Sequence, residues 1–258
     1  MGYFSELTAI FQRGMIVLWR NKLLFFGNIL MPLAVIAIMG PAASSQTFGS
    51  LSFEDLTTGM LGILIFISGI FIPNSIIWDR DSKYLNILFV SPCNRSSIIL
   101  GYSLVGAVRS TAQTLIIYIG ACIISSSMGY NISFSGWIMF GLIAITILIT
   151  IFVGGFMTII ASYSKNSETF FMLSGIIGMP LMFLSNVFFK PESLPFNLGA
   201  LTKFNPLNYF IDTIRYLVLG PGALPPGEAP WMGPVLMIVL AIAFTFLGTY
   251  IFVHTVKK

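Results

Sequence analysis

Residues 78–97 read WDRDSKYLNILFVSPCNRSS, which places Asp79, Arg80, Asp81, Lys83 and Arg95 between two long apolar runs. In a chain this poor in charge, that cluster sits outside the lipid. Its middle, Tyr84 to Val90, is apolar enough for a short helix, and Ser91-Pro92 ends it because proline disfavours helix at the residue before it. Two readings stay open from the pattern alone: a solvated loop that joins two spans, or a short helix that touches something in the water.

Composition sets the class. Hydrophobic residues make up 56% and charged residues 9% of 258 residues, against roughly 45–50% and about 25% in soluble domains. The expectation is an all-α polytopic membrane protein. A helical span needs about 20 mainly apolar residues, and six stretches qualify, at about 23–43, 57–78, 98–125, 136–162, 169–189 and 232–253. The runs are continuous and not alternating, which excludes a barrel. Cys93 and Cys122 show no metal-site or disulfide spacing, so no metal ligands are expected.

Orientation follows from Lys and Arg. With both termini cytoplasmic, the inner segments hold Arg13, Arg20, Lys22, Arg80, Lys83, Arg95, Lys165, Lys257 and Lys258, and the outer ones hold Lys190, Lys203 and Arg215. This is the positive-inside asymmetry. The net charge of +4 therefore reads as topology in a cell (plasma or inner) membrane, with no case for nucleic acid. The leader up to Lys22 reads as uncleaved.

Within that leader, Phe4, Leu7, Phe11, Met15 and Leu18 recur at helical spacing, with Glu6, Arg13 and Arg20 opposite. Residues 1–22 are therefore expected to form an amphipathic helix in the inner interface, either a topology anchor or a lever to a cytoplasmic partner. Residues 23–258 are expected to form a single membrane domain. An outer loop from about Ser44 to Asp55 carries Glu54 and Asp55. The run Ser97 to Met128 is about 48 Å as helix, longer than a span requires. Arg109, with Gln113 one turn on, is expected to lie just inside the lipid and snorkel inward; the alternative is a buried functional arginine.

Residues 188–230 hold Pro191, Pro195, Pro206, Pro221, Pro225, Pro226 and Pro230, too dense for one continuous span. Asn205 before Pro206 caps a helix showing Leu207, Phe210, Ile211 and Ile214 on one face, with Asp212 and Arg215 paired at three residues. Short re-entrant outer helices between spans five and six are expected here.

Leu194-Pro195, Asn205-Pro206-Leu207, Tyr209 and Arg215 match in spacing the signature of the ATP-binding-cassette type-2 permeases, and the chain resembles that family over essentially its whole length. The charged loop resembles the family's as well. Arg80-Asp81, Leu85, Pro92 and Arg95 fit its usual form, whereas Lys83-Tyr84 replaces Gly-Thr and Asn86 replaces an acid. Asn186 stands where a glycine is frequent.

The resemblance implies an exporter, similar to the drug-export branch, that works as a homodimer or with a related permease. Separate ATPase subunits, using ATP and Mg, would push on the loop of residues 78–97 as a coupling helix, with Asp79, Arg80, Asp81, Lys83, Leu85, Pro92 and Arg95 as its contacts. Leu194, Pro195, Asn205, Pro206, Tyr209, Asp212 and Arg215 would form an outer gate. The chain has no GxxxxGK[ST] phosphate loop and one histidine, His254, so no catalytic residues are expected in it. An amphipathic, lipid-like or drug-like cargo suits the apolar spans, and polysaccharide or glycolipid export is the alternative within the family. Outside it stand a lipid-modifying enzyme, a structural membrane protein and an ion-coupled carrier, for which only Arg109 competes as an intramembrane ionisable group.

Overall fold

The computed structural model describes residues 3–44, 52–83, 95–130, 132, 134–187, 202, 204–223 and 230–255. Among these there is no strand. The order is α1 (Tyr3–Arg20), α2 (Lys22–Ser44), α3 (Phe53–Asp81), α4 (Arg95–Met128), α5 (Gly136–Tyr163), α6 (Ser167–Phe183), α7 (Pro206–Leu219), a single 3-10 turn at Pro221–Ala223 and α8 (Met232–Thr255). Five helices, α2, α3, α4, α5 and α8, are long and apolar enough to cross a membrane.

The fifth expected span differs. α6 has 17 residues, about 26 Å of helix against about 30 Å of hydrocarbon. It ends at Phe183, with Leu184 as its C-cap, and the chain then turns so that Asn186 meets α7. The expected continuation to residue 189 is lost to that turn. The loop expected to reach Asp55 is also shorter, because Ser52 caps α3 and its hydroxyl accepts from the Asp55 amide while Asp55 returns a bond to the Ser52 amide. This reciprocal box places Glu54 and Asp55 in the first turn of the helix.

α3 is the central element, with 78% of its apolar window buried against 22% for α2 and for α8. Leu61, Leu64, Ile65 and Phe66 of α3 pack with Ile117 and Tyr118 of α4, Phe152 and Val153 of α5, and Phe210 and Ile211 of α7. α5 and α8 approach to backbone contact. A Cβ at Gly248 would stand 2.5 Å from the Gly155 carbonyl oxygen, and one at Gly155 would stand 2.7 Å from the Thr245 amide. Small residues at such crossings give helices in lipid their dispersion contact. α4 ends in a Schellman turn, with Gly129 at φ 78° and the Tyr130 amide donating to the Ser125 carbonyl.

Polar side chains fasten the bundle where water is absent. Gln113 accepts from the Ser68 hydroxyl at 3.1 Å and donates to the Phe25 carbonyl at 3.0 Å, linking α2, α3 and α4. The Ser110 and Thr150 hydroxyls share a 2.6 Å bond between α4 and α5.

Candidate functional site

Two polar clusters stand at opposite ends of α3. At its C-terminal end, three consecutive residues reach four different helices. Asp79 receives a fork from Arg13 of α1, Nη1 to Oδ2 at 2.5 Å and Nη2 to Oδ1 at 2.8 Å, and also accepts from the Tyr102 hydroxyl of α4. Arg80 donates to the Ser164 carbonyl, the C-cap of α5, at 2.6 Å. Asp81 accepts from the Ser167 hydroxyl at 3.0 Å and from its amide at 3.3 Å, where α6 begins. A two-pronged Arg–carboxylate pair fixes orientation as well as distance, so α1 is held in one register against α3 and α4.

α1 runs as expected, but the face it turns to the protein is not its apolar stripe. Glu6, Ile10 and Gly14 are buried against α4, with the Ser97 hydroxyl donating to Glu6 at 3.2 Å and Ile10 lying on Gly101. Phe4 and Trp19 remain exposed, as does Arg20. Of the stripe only Phe4 is exposed, while Leu7, Phe11, Met15 and Leu18 are half-buried, so the most deeply buried side of α1 is the flank that carries Glu6, Ile10 and Gly14.

Lys83 follows α3 at φ 61°, left-handed backbone that an L side chain rarely adopts. Here the family's usual sequence has glycine, which takes this conformation without strain. Leu85 and Pro92 of the expected coupling contacts lie outside the described residues, as does the side chain of Arg95.

At the other end, α7 forms as its sequence predicts. The Asn205 side chain accepts from the Leu207 amide at 3.0 Å, Pro206 opens the helix, and Leu207, Phe210, Ile211 and Ile214 are all buried. Arg215 is 7% exposed and donates from Nη1 to Asp212 at 3.4 Å. Its Nη2 reaches the Asn186 carbonyl at 2.8 Å and the Asp55 carbonyl at 3.4 Å, and its Nε stands 3.7 Å from the Asp55 carboxylate.

Asn186 completes this lock. Its side-chain amide donates to Asp212 at 2.6 Å, and its backbone amide donates to the Asn208 side chain at 2.9 Å. Asn208 in turn donates to the Thr202 carbonyl at 2.7 Å, and Asn205 donates to the Leu181 carbonyl at 2.7 Å. Asp55, Asn186 and Asn208 were not among the residues singled out in the sequence for this end. The usable signal was Asn186, a polar residue in place of a glycine. Leu194 and Pro195 lie outside the described residues, and the Tyr209 ring lines the cavity beneath the lock.

That cavity, about 720 Å³, lies among α3, α5, α6, α7 and α8. Its walls are almost wholly apolar: Phe66, Phe152, Phe156, Phe210 and Phe244 are joined by Ile176, Leu181 and Leu240. Phe152 meets Phe210 edge-on at 5.1 Å and Phe244 at 5.4 Å. This volume falls within the roughly 300–1,000 Å³ of small-molecule sites.

A second cavity of about 110 Å³ separates α1 from α2, α3 and α4 and contains Arg109. The guanidinium lies 4.8 Å over the Phe71 ring, and its Nε and Nη2 are shielded from solvent without a hydrogen-bond partner. Arg109 is half-buried, lying against the Phe71 ring at the wall of this cavity.

Comparison with known proteins agrees with this architecture. The family profile described as ABC-2 type transporter matches residues 5–219. A relative from Porphyra purpurea named transport permease ycf38 is 24% identical over 219 residues, covering 83% of this chain and 74% of its own. One of the same name from Cyanophora paradoxa is 26% identical over 227 residues, with the same coverage. The profile spans the α1 register, the α3 cluster and the α7 lock together, so this multi-pass membrane protein belongs to the ABC-2 type transporter family.

Proposed function

We propose that the chain is the six-span permease subunit of an ATP-binding-cassette exporter that moves an amphipathic, drug-like substrate outward. Two copies line the path, and separate ATPase subunits that bind ATP and Mg drive it. The α1 end faces the cytoplasm, where Arg13, Arg20, Lys22, Arg80 and Lys83 concentrate. Residues 1–22 are the connecting helix, 23–258 the membrane domain, 78–97 the coupling loop and 188–230 the outer re-entrant segment.

One observation carries this reading. Asp79, Arg80 and Asp81 tie the start of the loop to α1, the end of α5 and the start of α6 at once. A displacement of the loop by a docked ATPase is thereby passed to three helices through polar contacts of fixed direction. The aromatic cavity under α7 supports an apolar cargo over a sugar chain, since its walls offer scarcely a hydrogen-bonding group. The lock on Arg215 supports a gate role for α7, because irregular backbone at membrane depth is tolerated where protein surrounds it.

The test is co-purification with an ATP-binding-cassette ATPase encoded beside the gene, and stimulated hydrolysis in proteoliposomes containing both. The expected result is a stable complex whose hydrolysis rises with amphipathic substrate and falls in Asp81→Ala/Arg95→Ala. Survival of both binding and stimulation in that variant would remove the coupling role. Single-cysteine labelling from outside tests the gate: even, dense labelling from Phe188 to Tyr209 would mean a solvated loop.

A further inference from the structure

Arg109 is the charge that the coupling reading leaves without a task. It lies two helical turns beyond Tyr102 on α4, about 10 Å deeper along the helix than the Arg13–Asp79–Tyr102 cluster. Gln113, one turn further, is fully engaged by Ser68 and Phe25. The one carboxylate lining the cavity is Asp79, and both its oxygens already accept from Arg13. Among the described residues, Arg109 is thus balanced by the face of Phe71 alone, while Nε and Nη2 have no acceptor. A cation at this depth is costly unless an anion or a set of acceptors joins it.

The remaining walls show what kind of anion fits. Ser68 and Ser75 already donate their hydroxyl protons to Gln113 and to the Phe71 carbonyl, and Val17, Leu18, Phe25, Ile72 and Val105 are apolar, so the guanidinium is the group that selects an anion. Three lining residues, Val17, Asn21 and Trp78, are exposed, which places the mouth where α1 passes into α2 beside the end of α3. About 110 Å³ accommodates one compact oxyanion and not a whole amphiphile, so any chain attached to that anion leaves through this apolar mouth.

We propose that this cavity binds a single phosphate-type anion on Arg109, presented as the headgroup of an anionic lipid in the leaflet on the α1 side. The guanidinium donates to the phosphate oxygens, and the acyl chains lie along Val17 and Phe25. Because α1 forms one wall, an occupied site also fixes the helix that Arg13 registers. The site stands apart from the aromatic cavity beneath α7 and does not depend on the identity of the transported substrate.

Native mass spectrometry and thermal melting of the purified full-length permease test it, with phosphatidylglycerol, phosphatidylcholine and inorganic phosphate as probes. The wild type is expected to retain one phosphatidylglycerol in preference to phosphatidylcholine and to melt higher with it. Arg109→Gln should bind phosphatidylglycerol about tenfold more weakly, the loss expected for a charge-assisted bond, and Arg109→Lys should keep part of the affinity. An Arg109-dependent shift with inorganic phosphate alone supports the anion site and assigns it to soluble phosphate. The same shift with the lipid only assigns it to the headgroup. Equal phosphatidylglycerol binding by wild type and Arg109→Gln overturns the proposal. If Arg109→Gln fails to fold, Ser75→Phe fills the cavity while keeping the charge. It must then lose the lipid, and retention overturns the proposal equally.

Discussion

Arg13–Asp79 and Arg215–Asp212 are the same two residue types joined at opposite ends of the bundle, in different surroundings. The side chains of the first pair are 32% and 15% exposed, and it bridges helices 66 residues apart in sequence. Those of the second are 9% and 7% exposed, and it sits within one helix, surrounded by Asn186, Asn208 and the Asp55 carbonyl. Water can replace a lost partner at the first pair and cannot at the second. The pair at the α1 end is therefore suited to separate and re-form as helices shift, and the pair at the α7 end to keep α7 and the Asn186 turn together as one unit.

The largest effect that follows is from Arg215→Ala. It leaves Asp212 buried beside Asn186 without its cation, a loss of about 3–5 kcal/mol for a broken buried pair. The expected outcome is little or no folded protein by fluorescence-detected size exclusion. Normal yield and melting temperature would erase the contrast between the two ends.

Arg13→Ala is expected to cost less, about 1–2 kcal/mol, because its pair is partly solvated. The protein should stay folded, but with α1 freed from its register. Spin labels along residues 4–19 should lose the 3.6-residue depth period that the docked helix gives. Transport should fall more than stability does, and the Arg13→Asp/Asp79→Arg exchange should restore part of it.

Lys83→Gly changes stability in the opposite direction. Removing the side chain from a residue at φ 61° is expected to add about 1 kcal/mol, visible as a higher melting temperature. A lower one would mean that the Lys83 side chain has contacts that outweigh the backbone strain. Asp81→Ala should be smallest in stability, a few tenths of a kcal/mol for an exposed bond, and larger in the coupling between ATP hydrolysis and transport. Equal effects on both would place Asp81 with the structural residues of the α7 end.

Much of the architecture was legible because lipid imposes simple rules. Long apolar runs located five spans, and Asn205-Pro206 with a three-residue Asp–Arg step located the start of α7. The misses share one cause, which is that they depend on which helix stands beside which. α6 was expected to run on to residue 189, but the turn after Phe183 serves Asn186, whose partners lie 22 and 26 residues further along. The apolar stripe of α1 was easy to find, yet the contact face was set by Gly101 and Asp79 on other helices.

Sequence by itself determined that this chain is a helical membrane protein, because hydropathy and proline spacing are local properties that the bilayer reads residue by residue, and its signature residues carried the resemblance to the ABC-2 family. Only the tertiary structure decided what the charges do. Asp79, Arg80 and Asp81 form one run in sequence and reach four different helices in space, and Arg109 is set over the ring of Phe71. The partner of a charge is chosen by the packing of α3 against its neighbours, and that packing is a property of surfaces brought together from distant parts of the chain.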